Sequence, residues 1–246
     1  MSTKRVATYY GENDELHMSF NFPPLWAPWD AAAWRKRIER VVEELHSREA
    51  WPTWVLSNHD VRRHRTRYGS EAAARAAAVV LLTLRGTPFL YAGEELGLED
   101  AVIPEDRVLD PGGRDGCRAP LPWDGSPTHG WSTEDPWLPW PPEADAGQNV
   151  EAQHGDPSSM LALYRRLLEL RRGSPALATG DFSWVDGVPD GVLVYARSSG
   201  DDSWTMAVNF TAEERAVEVT GEVALTSDGV PFDGVLAPNQ AVLLRD

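Results

Sequence analysis

The sequence holds a single cysteine, Cys117, so it cannot close an internal disulfide or build a multi-cysteine zinc or iron–sulfur site. No apolar run approaches the ~20 residues that a bilayer-spanning helix requires. Nor does an apolar signal-type segment follow the opening Met1-Ser-Thr-Lys-Arg, so the sequence leads us to expect a soluble, cytoplasmic chain. Basic residues are the minority charge: 23 Lys and Arg stand against 38 Asp and Glu, for a net charge of −15. Such a surface repels phosphate backbones and anionic lipid, which sets aside nucleic acid and membrane as partners. Clustered His, Cys and carboxylate residues at transition-metal spacing are missing as well, so no metal and no cofactor are expected. Internal repeats and low-complexity segments are also lacking.

What is present is an ordinary globular composition, 42% hydrophobic and 25% charged over 246 residues, enough for a substantial core. Aromatic residues stand out, with eleven Trp beside six Tyr and six Phe, in a chain that also holds nineteen Pro. Trp123, Trp131, Trp137 and Trp140 fall in a stretch crowded with Pro, Gly and Asp. Flat rings in polar loops suit stacking against sugars; they equally suit plugging a long loop onto the body of a domain.

The chain divides near residue 173. Residues 16–22 read as a strand closed by Pro23-Pro24. Asp30 then caps a helix through about Glu49, with Trp34, Ile38, Val41, Val42 and Leu45 on one face. Residues 53–57 form a second strand ending at Asn58-His59-Asp60. Ser70 opens an Ala-rich helix that Gly86-Thr87-Pro88 ends, and Phe89-Leu90-Tyr91 is a third strand, before Gly93-Glu94-Glu95. Strands and helices alternating at this spacing imply βαβ units and a parallel sheet. A loop-rich stretch over about 96–155 follows, a length that is uncommon unless it is functional. Asp156-Pro157-Ser158-Ser159 starts a helix with Met160, Leu161, Tyr164, Leu167 and Leu168 buried, and Gly173-Ser174-Pro175 breaks it. Beyond Phe182, short strands at 182–185, 192–197, 204–210, 216–219 and 241–244 suit an antiparallel sandwich.

Polar residues at the C-terminal ends of parallel strands line the active sites of α/β proteins, and Asn58-His59-Asp60 is placed that way. By itself the triplet also reads as an ordinary turn. Its context is more specific. Val55-Leu-Ser-Asn-His-Asp60 with Arg63 and Arg67-Tyr-Gly69 resembles a signature region of glycoside hydrolase family 13, the α-amylase superfamily. Gly86-Thr-Pro-Phe-Leu-Tyr-Ala-Gly-Glu-Glu-Leu-Gly97 resembles a second region, with Ala92 where a bulkier residue is common. Arg114-Asp-Gly-Cys-Arg-Ala-Pro-Leu-Pro-Trp123 resembles the arginine-bearing loop of the α-glucosidase and oligo-1,6-glucosidase branch, with Leu121-Pro122 in place of the common Met-Gln. Tyr9-Tyr-Gly11, Glu15-Leu-His17 and Phe20-Asn-Phe22 resemble the approach to barrel strand six.

The resemblance implies the C-terminal part of a (β/α)8 TIM barrel, about strands six to eight with their helices and the substrate loop (residues 1–173), followed by an all-β sandwich domain (174–246). It implies a retaining hydrolase that removes terminal α-linked glucose from small α-glucosides or malto-oligosaccharides. Asp60 would stabilise the transition state, His59 would hydrogen-bond the same sugar and Arg118 would fix its non-reducing end. Relatives sharing these signatures include oligo-1,6-glucosidases, trehalose synthases and sucrose-processing enzymes. A complete barrel takes roughly 250 residues, and the family's nucleophile and acid lie at the ends of strands four and five. Neither segment is found here: Glu94 and Glu95 follow the third strand, and Glu12 and Glu15 read as solvated or structural. We therefore expect a fragment that is inactive alone. Non-catalytic alternatives are a carbohydrate-binding module or a half-protein completed by a missing N-terminal half.

Overall fold

The computed structural model describes residues 2–12, 14–46, 50–132, 135–144 and 147–246. The Ser2 side chain accepts from the Arg5 amide and caps α1 (Thr3–Ala7). In α2 (Ala31–His46) the expected face is largely as read. Trp34, Ile38, Val41 and Leu45 are buried, whereas Val42, at the margin of that stripe, stays 38% exposed. The expected end of this helix at Glu49 lies outside the described residues.

Next come β1 (Thr53–Val55), α3 (His64–Tyr68), α4 (Glu71–Thr83) and β2 (Thr87–Phe89). β1 and β2 pair in parallel, with Thr53 opposite Thr87 and Val55 opposite Phe89. β1 is two residues shorter than expected, and β2 keeps the expected length but lies two residues earlier, ending rather than starting at Phe89. The connecting α4 is buried on nearly all sides, and the Ser70 side chain caps it through the Ala73 amide at 3.1 Å. Apart from Glu71, Arg75 and Thr83 its residues are Ala, Val and Leu, whose small or apolar side chains let neighbours approach on most faces.

The strand expected at residues 16–22 is not formed. This segment runs beside β1, but side chains rather than a backbone ladder tie it there. Thr53 Oγ1 accepts from Asn21 N at 3.1 Å and donates to Ser19 O at 2.8 Å, and Tyr10 Oη accepts from Ser19 N at 3.1 Å. Hydroxyls thus take the amides and carbonyl that a strand would offer its neighbour.

Single helical turns at Glu94–Leu96, Glu105–Arg107 and Asp115–Arg118, and then α5 (Val150–His154), punctuate the long loop-rich stretch. The helix α6 (Met160–Gly173) does not begin at Asp156-Pro157 as expected. Asp156 closes a turn by accepting from Ser158 N at 2.8 Å and Ser158 Oγ at 2.7 Å, and Ser159 is the cap. Its buried face is Met160, Leu163, Tyr164 and Leu167, with Leu161 only partly covered. After the break, Pro175 occupies the first turn of a further short helix, α7 (Pro175–Thr179).

Seven strands complete the chain: β3 (Asp181–Trp184), β4 (Val192–Ser199), β5 (Asp202–Asn209), β6 (Arg215–Ala216), β7 (Glu222–Thr226), β8 (Val235–Leu236) and β9 (Ala241–Arg245). β3, β4, β5, β9 and β7 form one antiparallel sheet in that order, and β6 pairs with β8. Burial alternates between the sheet's faces. Leu193, Tyr195, Met206, Val208 and Leu243 join the core that contains α2, α4 and α6. Val192, Val194, Ala207, Val242 and Leu244 pack with Val217 and Leu236 on the other side. Both faces being covered explains why β4 and β9 read as nearly continuous apolar runs.

Two arginines bolt the helices to this sheet. Arg197, with no exposed surface, donates to the carbonyls of Asp181, Thr83, Leu177 and Gly180. Burial pushes its pKa down to about 10. Arg171 reaches the carbonyls of Leu82, Leu84 and Gly86, the exit of α4 and the entry to β2. These last carbonyls have no partner within the helix, so a multi-donor guanidinium meets several of them at once.

Candidate active site at the ends of two parallel strands

The carboxyl ends of β1 and β2 carry the residues singled out in the sequence. Immediately after β1 the Asn58 side chain accepts from the Asp60 amide at 2.9 Å, closing a tight turn that leaves His59 and Asp60 exposed. Beyond β2, Gly93 adopts φ +93°, and a Cβ there would meet Leu121, Leu98 and Arg63 within 3 Å. The two strand ends are linked by Arg63, which donates to Ala92 O at 2.8 Å and lies over the Tyr91 ring at 4.8 Å. Tyr91 in turn donates to Cys117 O at 3.0 Å, tying the second strand end to the loop that carries Arg118.

His59, Asp60 and Arg118 are brought together. Arg118 Nε donates to His59 O at 2.7 Å and Arg118 Nη2 lies 3.2 Å from Asp60 Oδ1. His59 Nε2 stands 3.4 Å from Asp60 Oδ2. A fourth member is Arg114, which in the sequence stands only as part of the loop motif 114–123. It donates to Asp60 Oδ1 at 2.8 Å while its other nitrogens grip Asp110 in two bonds of 2.7 Å. This two-pronged contact holds the Asp110 carboxyl far below its ordinary range and raises Arg114 further. Asp115 is buried beneath and accepts from the amides of Leu109 and Asp110 at 2.7 and 2.8 Å. Asp110-Pro-Gly-Gly-Arg114 folds as a turn that brings these two charges together, and nothing in that local pattern points to Asp60.

The four glutamates weighed in the sequence lie elsewhere. Glu94 is buried, 3.7 Å from His64 Nδ1, and neither carboxyl oxygen meets a hydrogen-bond donor. Burial, with Glu95 next to it, raises its pKa well above the ordinary carboxylate value. Glu95 Oε2 accepts from Gly93 N at 2.8 Å and so braces the turn. Glu12 and Glu15 are exposed. The four Trp of the long loop divide: Trp123, Trp131 and Trp137 are 48–76% exposed, while Trp140 packs edge-on against His129. Among the described residues no group of three His, Cys, Asp or Glu is arranged to hold a metal ion, and no helix is long and apolar enough to cross a membrane.

Beside Asp60 opens a cavity of about 660 Å³, lined among others by Trp26, Arg62, Asp100, Val102 and Arg114. Asp100 is held there by the Arg63 amide at 2.8 Å and by Arg62 Nε at 3.1 Å.

Polar side chains gathered where parallel strands end, with a helical crossover between them, define the class of α/β proteins whose sites open on that face. The chain belongs to the α-amylase family, whose catalytic-domain model matches residues 2–180. It is 35% identical over 227 residues to a probable α-glucosidase of Rhizobium meliloti (strain 1021), covering 86% of this chain and 40% of that protein. A glucan 1,6-α-glucosidase of Streptococcus pneumoniae serotype 4 is 28% identical, over 90% of this chain and 50% of its own length. The trehalulose synthase MutB of Pseudomonas mesoacidophila MX-45 superposes with a TM-score of 0.87 at 27% identity, covering 99% of this chain and 53% of the neighbour. A mutant of MutB has also been crystallised with its substrate sucrose. The chain thus spans about half the length, or less, of these relatives, and its helices and parallel strands form part of a TIM barrel.

Proposed function

We propose that this chain is the substrate-recognising, C-terminal portion of a retaining α-glucosidase, with the strands beyond residue 173 as a β-sandwich domain. The substrates would be short oligosaccharides with terminal α-linked glucose. The observation that carries this reading is the cluster of Asp60, His59, Arg118 and Arg114 at the end of β1. Asp60 stabilises the oxocarbenium-like transition state and grips hydroxyls of the reacting glucose. His59 hydrogen-bonds the same ring, and Arg118 fixes its non-reducing end. Positive charge develops at the anomeric carbon during the reaction, so a carboxylate held in place beforehand stabilises the transition state more than the ground state. Both guanidiniums bond the same oxygen, Oδ1, which fixes the carboxylate plane before any sugar arrives.

A retaining glycosidase also needs a nucleophile and an acid about 5–5.5 Å apart. In this reading they belong to barrel strands four and five, outside the 246 residues, so the chain alone binds sugar without cleaving it. The purified chain is expected to release no glucose from maltose or p-nitrophenyl α-glucoside. It is expected to bind methyl α-D-glucopyranoside with a Kd on the order of 1 mM, and Asp60→Ala to abolish that binding. Turnover of either substrate would overturn the division of roles; failure to bind would overturn the sugar site itself.

A second reading, a half-protein completed by a separate barrel half, is favoured by one surface. Leu16, Met18, Phe20 and Phe22 alternate along the extended segment beside β1 and all remain 39–54% exposed.

A further inference from the structure

Five buried side-chain polar atoms that meet no protein partner gather around Glu94: both of its carboxyl oxygens, His64 Nε2, Tyr68 Oη and Tyr164 Oη. Glu94 Oε2 lies 3.7 Å from His64 Nδ1, and the rings of His64 and Tyr68 are 5.9 Å apart. Tyr164 comes from α6, which packs on the Glu94–Leu96 turn. Burial raises the pKa of both tyrosines, and the nearby Glu94 charge adds to it. None of these four residues lines the cavity beside Asp60.

The protein by itself does not meet these groups. Ser57 Oγ takes the His64 amide at 2.9 Å and faces Nδ1 at 3.0 Å, and burial keeps the imidazole neutral. Whichever ring nitrogen carries the proton, Nε2 is left in need of a partner. Glu94 is too far from His64 for a direct bond, and its nearest approach is to the nitrogen that Ser57 already holds. The neighbouring cations are spent on backbone: Arg63 donates to Ala92 O at 2.8 Å, and Arg67 to Arg62 O at 2.9 Å and Leu56 O at 2.5 Å. The unmet atoms mix both roles, since each phenol can donate and accept and the carboxyl, held protonated by burial, can do the same.

We propose that Glu94, His64, Tyr68 and Tyr164 form an internal water site, sealed from solvent, whose bound water joins the turn after β2 to α3 and α6. At about three hydrogen bonds per buried water, five atoms call for about two molecules. Water fits this mixture of donors and acceptors, whereas a cation would stand beside the guanidiniums of Arg63 and Arg67, whose charges already act on Glu94. The site needs no sugar and is independent of the roles given to Asp60, His59 and Arg118.

A crystal structure of the 246-residue chain, at a resolution that shows ordered solvent, tests the geometry directly. Water oxygens are expected within about 3.2 Å of Glu94, Tyr164 and His64 Nε2. Direct Glu94–His64 or Glu94–Tyr164 bonds with no water between them, or a metal ion in its place, would overturn the proposal. Oxygen-17 magnetic relaxation dispersion, whose amplitude follows the number of long-lived internal waters, tests it in solution. Glu94→Met is expected to lose the amplitude of about two waters, Tyr164→Phe to lose part of it, and Glu94→Gln, which still donates and accepts, to keep it. An amplitude equal in the parent and Glu94→Met, or one lost in Glu94→Gln, would also overturn it. The parent crystal structure decides the matter even if Glu94→Met does not fold.

Discussion

At the scale of single residues, the site and its support differ in how they meet water. His59 and Asp60 are exposed, whereas Ser57 and His64, a few residues along the chain, and Glu94, beyond β2, are sealed in the protein. Ser57 Oγ accepts from the His64 amide at 2.9 Å and bonds its Nδ1 at 3.0 Å, which fixes the start of α3 against the end of β1. Burial, with Arg67, Arg63 and Arg65 adding to it, pushes the His64 pKa down to about 3. The unfolded chain therefore takes up the proton first, and the stability owed to neutral His64 is lost as pH falls from 6.5 toward about 3. Glu94 acts in the opposite sense: its raised pKa contributes stability below 4.5, lost as pH rises above that value. Urea midpoints across about pH 4 to 9 are expected to show Glu94→Gln flattening the alkaline decline. His64→Gln is expected to cost about 1–3 kcal/mol at neutral pH through the lost Ser57 bond, and to flatten the acid limb. Unchanged slopes in both variants would show that neither group is held neutral.

At the scale of elements, the joint between helices and sheet is polar at its centre and apolar around it. Thr83, Leu177 and Gly180 present carbonyls to one buried guanidinium, and Tyr195 bonds Thr83 Oγ1 at 2.7 Å beside it. Replacing Arg197 with Met fills the space but leaves those carbonyls unmet, and buried acceptors without donors are costly. The variant is expected to lose about 3 kcal/mol of stability or more, read as a lower urea midpoint at unchanged slope. Stability within 0.5 kcal/mol of the parent, a threshold of about the size that ordinary surface changes produce, would show that packing alone holds the joint. The shortness of β6 and β8, two residues each, belongs to this scale as well: they cover one face of the sheet without extending it.

At the scale of the whole molecule, two parallel strands with an extended segment beside them leave apolar side chains and strand edges uncovered. Leu16, Met18, Phe20 and Phe22 on one segment, with Leu90 after β2, make a surface of the kind that seeks a partner. Sedimentation of the chain is expected to show concentration-dependent association, reduced by the paired change Phe20→Ser and Phe22→Ser. A concentration-independent monomer would mean that the surface is satisfied by local packing such as the 4.6 Å contact of Phe20 with Phe89.

Much of this molecule was legible in its residue order. Caps at Ser70 and the apolar stripe Trp34, Ile38, Val41 and Leu45 are encoded over a few neighbouring positions, because helix signals act within one or two turns. The motifs around Asn58-His59-Asp60 and Gly86–Gly97 carried the family for the same reason. Other features depended on partners distant in the chain. The segment 16–22 alternates like a strand, yet Thr53 and Tyr10 claim its polar groups. The edge strand β7, with Glu222 first and a register shift after Val223, has too little contiguous apolar pattern to declare itself. Arg114 meets Asp60 across 54 positions, and Trp26 shares a cavity with Arg114. Local propensity and motif were thus set by the sequence, whereas the fourth member of the site and the wall of its cavity were decided by tertiary packing. Contacts of that range exist only once loop closure and core burial have placed the loops that carry them.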